Sequence, residues 1–244
     1  MESREYAAMR RAEDDHWWYR GLRMVLSLFL DRANLRRREL ALDIGCGTGG
    51  TLRHVKLAEH AVGLDASATA LGYCRGDGLR LLVKGSANLL PFRSGTFDVA
   101  TSLDVLCHRS IRSAQVVGEI RRVLSEDGVF CLNLPAFDVL QAHHDKYVGT
   151  VHRFTRGEVD RLMACAGMIV EQITYWNMLL FPMELAYRLA DKCLLPDRTQ
   201  SEVTLDLPLL DKLFFAVVRL EARLLGRLRL PIGLSIFAVS HRKR

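Results

Sequence analysis

At 244 residues, with 49% hydrophobic and 25% charged side chains, the chain is long enough for one large α/β domain and has a folded rather than a disordered composition. Its formal charge of +6 gathers at Arg36, Arg37 and Arg38, between Arg219 and Arg229, and at the end from His241 to Arg244, without the interleaved aromatics of a nucleic-acid groove, so no nucleic-acid partner is expected. The 6 cysteines are scattered with no Cys-x-x-Cys pair, no run approaches the roughly 18 apolar residues that span a bilayer, and acidic residues interrupt the opening segment where a secretory signal needs an apolar core; reduced thiols and a cytoplasmic location are expected.

In chain order, residues 1–37 read as helical, with an acidic and aromatic segment from Glu13 to Arg20 and apolar residues at helical spacing from Leu22 to Leu35. From Leu40 the pattern changes. Short apolar runs at Leu40–Ile44, Ala61–Leu64, Leu79–Val83, Phe97–Ser102 and Val129–Leu134 read as strands. Gly50–Ala58, Ala66–Cys74 and Arg112–Leu124 read as the helices between them. This alternation predicts a doubly wound α/β fold with a mostly parallel sheet. After Pro135 a polar, His-rich loop leads to a helix at Thr155–Ala166, where Thr155 and Glu158 have capping-box spacing and Gly167 is the stop. Met168–Tyr175 and Leu234–Ser240 complete seven strands. Between these last two lies a long insertion, 176–233, holding an amphipathic helix at Leu209–Leu230.

The most informative segment is Asp43-Ile-Gly45-Cys46-Gly47-Thr48-Gly49-Gly50. An apolar strand runs into glycines at alternate positions, which permit positive φ and let a ligand lie against bare backbone, and a helix begins directly afterwards with unpaired N–H groups. A dinucleotide site would need Gly-x-Gly-x-x-Gly instead. Asp65, at the end of the second strand, is placed to accept both hydroxyls of a ribose.

With Asp43 two residues before the first glycine, the segment resembles the first motif of the class I S-adenosylmethionine (SAM)-dependent methyltransferases, Asp/Glu-x-Gly-x-Gly-x-Gly. The likeness continues through Gly85-Ser86-Ala87-Asn88-Leu89-Leu90-Pro91-Phe92, Gly95-Thr-Phe97-Asp98 to Leu106, and Glu119 to Leu124, covering roughly residues 38–175. It implies an antiparallel last strand and a single domain: an N-terminal helical lid (1–37), a SAM-binding core (38–175), a helical insertion (176–233), and a last strand with a basic tail (234–244). It also implies methyl transfer from SAM, with S-adenosylhomocysteine as product. The cofactor would be held by Asp43, Gly45, Cys46, Gly47, Gly49, Asp65 and Ala66, with Ser86 and Ala87 against the adenine and Leu103 near the methionine. Trp17 to Arg20 would form a lid in which Tyr19 and Arg20 hold the methionine end.

The pattern departs from the family in three places. Ser86 stands where an Asp commonly receives the adenine amino group, Cys107 interrupts a common Leu-Glu-His, and His152 and Phe154 replace residues of an Arg-Arg-Tyr-Thr segment. On the acceptor side, His108 is the first candidate base and His144 the second, since a neutral imidazole takes a proton near pH 7. Trp18, Asp104, His143 and Tyr147 are candidate substrate contacts. No metal is expected, because the clustered acids of a metal site are not evident. The acceptor is expected to be a small molecule or lipid-like compound, covered by the insertion, with peripheral membrane contact by the 209–230 helix as a second use. Two other readings stay open: a protein of this fold that binds SAM for another reaction or for regulation, and a nucleic-acid methyltransferase. The latter is weakened by the absence of Asp/Asn-Pro-Pro-Tyr after the fourth strand.

Overall fold

The structure is a computed structural model that describes residues 3–33, 35, 38–141, 145, 148–186, 208–225 and 227–243. Two helices, α1 (Ser3–Ala12) and α2 (Trp17–Arg32), precede the sheet. The strands are β1 (Leu40–Ile44), β2 (His60–Asp65), β3 (Leu82–Lys84), β4 (Phe97–Leu103), β5 (Leu124–Pro135), β6 (Met168–Trp176) and β7 (Ser235–Arg242). They form one seven-stranded sheet in the order β3-β2-β1-β4-β5-β7-β6. The first five pair in parallel, and β7 runs antiparallel between β5 and β6. The helices between and after them are α3 (Gly50–His54), α4 (Ala68–Gly76), α5 (Ser113–Val123), α6 (Arg156–Cys165) and α7 (Pro208–Leu225).

The central strands are apolar on both faces because helices cover both. Leu42, Ile44, Ala100 and Leu132 face the core under α5 and α6, while Ala41, Val99, Cys131 and Phe237 face a second core under α2. Helix α6 begins at the expected capping box, with both Thr155 and Glu158 bonds formed, and stops at Gly167, whose φ is 71°. Among the described residues no helix is long and apolar enough to cross a membrane.

Several boundaries move for physical reasons. Strand β3 starts at Leu82 rather than Leu79, because Leu79 packs into a small cluster with Cys46, Leu71 and Cys74. Strand β5 starts at Leu124, ahead of the Asp127-Gly128 turn signal, and the ladder absorbs the irregularity between Phe97 and Val99. Helix α7 ends at Leu225, and Leu230 instead bridges to Tyr175. The insertion is also more deeply built in than a flap. Val218, Ala222 and Leu225 are buried, and α7 lies on α2, where the missing side chain of Gly21 makes room for Val218.

Because β6 is parallel to β5, the carboxyl ends of β1, β2, β4, β5 and β6 share one edge. All three described non-glycine residues with positive φ sit on it: Asp104 (56°) after β4, Phe137 (58°) after β5 and Asn177 (59°) after β6. Left-handed backbone at bulky residues costs free energy and concentrates at functional sites.

Candidate functional site

The glycine loop lies at the carboxyl end of β1 as its sequence requires. Gly45, Gly47 and Gly49 have φ of 73°, 55° and 91°, and a Cβ on Gly45 would collide with a methyl of Val105. Asp65 clamps the loop, its Oδ2 accepting from the Gly47 N–H at 3.0 Å and its Oδ1 from the Ser67 N–H at 2.8 Å. Each carboxylate oxygen has a second lone pair to offer, so the clamp leaves acceptor capacity for a ribose. Burial pushes the Asp65 carboxyl up against those two backbone bonds. Asp43 is buried and pushed up to about 6, with the Thr101 hydroxyl, 2.7 Å from its Oδ1, opposing the shift. Thr48 Oγ1 is buried in the loop with no hydrogen-bond partner among the described residues. The Cys46 sulfur turns toward Leu71 and Cys74, so Cys46 offers the site its backbone.

Helix α1 lies across this loop. Met9 Sδ is 3.2 Å from where a Cβ on Gly47 would be. Glu13, 3% exposed, accepts the Gly50 N–H on Oε2 at 3.1 Å and bonds Arg53 through Oε1 at 2.6 Å. Arg53 also reaches Asp14 and Asp77, at 2.7 and 2.6 Å, and Arg10 joins the same two carboxylates. Burial works against the Asp14 charge, but hydrogen bonds from His54, Arg53 and Arg10 hold its carboxyl well below the usual range. Tyr6 lies beside Asp65 and Ser67. The helix thus roofs the space where the glycines leave backbone bare.

Farther along the edge, Asp104 sits at the floor of the second half of the site, half-buried by its surface. Asn133 Nδ2 donates to both its oxygens, at 2.9 and 3.1 Å, and Trp176 Nε1 donates to Asn133 Oδ1 at 2.7 Å. One polar relay therefore crosses β4, β5 and β6 at their carboxyl ends. Burial pushes the Asp104 carboxyl up to about 7, against the Asn133 bond and the Arg153 charge. Aromatic rings lie against the Trp176 end of the relay, with Trp18 6.3 Å from Trp176 and 5.0 Å from Tyr19, while Phe137 stacks on Tyr175 at 5.0 Å against the other core. Arg153, in the segment that departs from Arg-Arg-Tyr-Thr, makes a buried two-bond pair with Asp145 at 2.8 and 3.1 Å.

The structure gathers most of the residues named from sequence and redirects some. Asp43, Gly45, Cys46, Gly47, Gly49 and Asp65 come together, with Ala66 exposed beside them and Leu103 partly buried at the end of β4. Ala87 is buried; Ser86 is exposed, and its hydroxyl accepts the Asn88 N–H at 3.2 Å. His108 follows β4, is bridged to Thr150 through its backbone, and has its imidazole pKa pushed down by burial, which keeps it neutral at pH 7. Trp18 and Tyr19 reach the relay. Arg20 instead stacks on Phe215 at 3.6 Å and pairs with Asp211 at 3.8 Å, so it faces α7 and not the glycine loop. His143, His144 and Tyr147 lie outside the described residues. Glu13, Met9, Asn133 and Trp176 went unmarked in the sequence. Asn133 alone carried a signal, as a polar residue in the apolar run Phe130 to Leu134, where it needs a buried partner.

Residues 42–132 match the model of a family described as a methyltransferase domain. A sterol 24-C-methyltransferase of Schizosaccharomyces pombe is 31% identical over 108 residues, covering 41% of this chain and 28% of that one. A 24-methylenesterol C-methyltransferase of rice is 27% identical over 127 residues, covering 48% and 35%. Among solved structures, a TehB-like SAM-dependent methyltransferase from Corynebacterium glutamicum superposes with a TM-score of 0.59 at 15% identity, covering 99% of this chain and 98% of that one. The chain spans only 35% to 56% of the length of the first curated relatives it matches.

Proposed function

We propose that the chain is a class I SAM-dependent methyltransferase and that it methylates an apolar, lipid-like small molecule at the edge shared by β4, β5 and β6. The observation that carries this reading is the pairing, on one sheet edge, of a bare glycine loop clamped by Asp65 with a half-buried carboxylate, Asp104, tied through Asn133 to the rings of Trp176 and Trp18. The loop suits SAM on this structure's own terms: three positive-φ glycines, two deep carboxylates and the orphan hydroxyl of Thr48 offer a nucleoside and an amino-acid end their partners. When bound there, SAM supplies a methyl group already activated on a sulfonium.

The chain's residues then have position and proton transfer as their work. Asp65 and the Ala87 region hold the nucleoside, Asp43 faces the amino-acid end, and Met9 with Glu13 closes the roof and excludes water. Asp104 accepts the acceptor's proton; its raised pKa near 7 matches a general base at neutral pH. Asn133, fixed by Trp176, aims that carboxylate. His108, kept neutral, lines the same mouth as an alternative base. The sterol methyltransferase relatives act on lipids, which agrees with the aromatic surround. The test is calorimetric titration with SAM, followed by incubation of the full chain with methyl-labelled SAM and a lipid extract. Label entering the organic phase with equimolar S-adenosylhomocysteine supports the reading; SAM binding with no label transferred to any fraction overturns it.

A further inference from the structure

Helix α7 divides its charges between its two sides. Both its acidic residues point inward: Asp211 accepts the Trp17 N–H at 2.6 Å, and Glu221, buried, accepts the Leu179 N–H at 3.0 Å. The outer half holds Leu209, Leu213, Leu220 and Leu224, which are 36–82% exposed. At about 100° per residue these four fall within an arc of about 60°. Lys212, Arg219 and Arg223 line one flank of that arc, all exposed. Arg227 and Leu228, just past the helix end, are also exposed, as are Leu179 and Met183 in the chain's 176–186 segment. Among the described residues the outer half carries no acidic side chain. A leucine ridge bordered only by cations is the pattern of a helix that lies in a membrane interface, with its apolar ridge in the acyl boundary and its cations at anionic headgroups.

We propose that the outer face of α7 docks the protein on an anionic lipid bilayer. A second copy of the chain fits less well, since an antiparallel pairing of two such ridges would bring the arginine rows together and a parallel one would leave both rows without an anionic partner. The inner side of α7 packs on α2, with Trp17 against Phe214 at 5.5 Å, and the first turn of α2 reaches the polar relay through Trp18 against Trp176 at 6.3 Å. A bilayer held on the outer face would therefore lie one helix from the acceptor edge. The inference stands on the helix and does not need the methyl-transfer reading to be right.

The experiment is flotation of the full chain with phosphatidylcholine vesicles, with and without phosphatidylglycerol. Binding to the anionic vesicles is expected, and little to the neutral ones. Because a protein of net charge +6 can adhere to anionic lipid without any dedicated face, the leucines must be tested apart from the charges. Leu213→Gln with Leu220→Gln keeps every charge and should weaken binding at least about tenfold. Arg219→Glu with Arg223→Glu should weaken it about 30-fold or more, from about fivefold per cation, while Arg80→Glu with Arg93→Glu, elsewhere on the surface, should weaken it clearly less. The melting temperature and the far-ultraviolet circular dichroism should be unchanged in all three, which certifies the fold without reference to any ligand. Binding unaffected by the leucine changes, equal loss in both arginine pairs, or absence of binding to any vesicle overturns the proposal. So does a concentration-dependent dimer, lost in the leucine variant, without vesicle binding.

Discussion

Replacing Asp104 by Asn is expected to act on rate and on stability in opposite directions. Asn tolerates the left-handed backbone at this position, φ 56°, and keeps an oxygen for Asn133 Nδ2, so the relay to Trp176 survives. What is lost is the ability to hold a proton. If Asp104 is the base, transfer of labelled methyl to the lipid extract should fall by about 10²–10⁴-fold, with SAM affinity little changed. In the parent protein the rate should rise with pH through about 7 and level off above it, and the variant should lack that limb. The stability effect follows from the same carboxyl. Its folded pKa lies above its unfolded value, so between about pH 4 and 7 the folded state binds the extra proton, and stability is lost as pH rises through that window. A shift of about three units corresponds to at most about 4 kcal/mol above pH 7, reduced by whatever water reaches the half-buried carboxyl. Asp104→Asn should therefore raise the melting temperature at pH 8 and leave it nearly unchanged at pH 4. Turnover within threefold of the parent, with the acidic limb intact, would refute the assignment.

The other predictions concern the roof and the loop. Glu13→Ala leaves the Gly50 N–H unpaired and removes one of the three carboxylates on Arg53. A loss of about 1.5–3 kcal/mol placed on α1 closure should weaken SAM binding about 10- to 100-fold and expose residues 3–15 to protease, with the melting of the sheet core little changed. Asp65→Ala should weaken SAM binding by about 1–3 kcal/mol and also loosen the Gly47 amide it clamps, seen as faster hydrogen exchange there; unchanged affinity would remove it from the ribose site. Gly47→Val forces a branched residue to φ 55° beneath Met9 and should abolish SAM binding by calorimetry. His108→Ala should cost about tenfold in turnover, and a loss near 10³-fold would transfer the base to the imidazole.

The parts of this molecule written in local pattern were legible in the sequence. Alternate glycines after Asp43, the apolar strands and the Thr155–Glu158 box each depend on neighbours within a few residues, and the structure places them as expected. Features made by distant partners were not. Glu13 reads as one acid in a polar helix, and only the fold brings it to Gly50, 37 residues away. Asp104 follows β4 while Asn133 and Trp176 lie on β5 and β6, and the three become a relay only once those strands share an edge. The lid expected from Trp17 to Arg20 includes Arg20 at the methionine end, but helical spacing turns Arg20 toward Asp211 and Phe215 on α7. The helix at 208–225 was visible as amphipathic, yet the pattern alone could not say that its narrower inner face would be spent on α2.

The most direct measurement is a crystal structure of the full chain with S-adenosylhomocysteine. The ribose is predicted on Asp65 and the adenine beside Ala87, with α1 closed over them and the sulfur directed toward the space above Asp104. A ligand bound elsewhere, or one whose sulfur faces away from Asp104, would contradict the account.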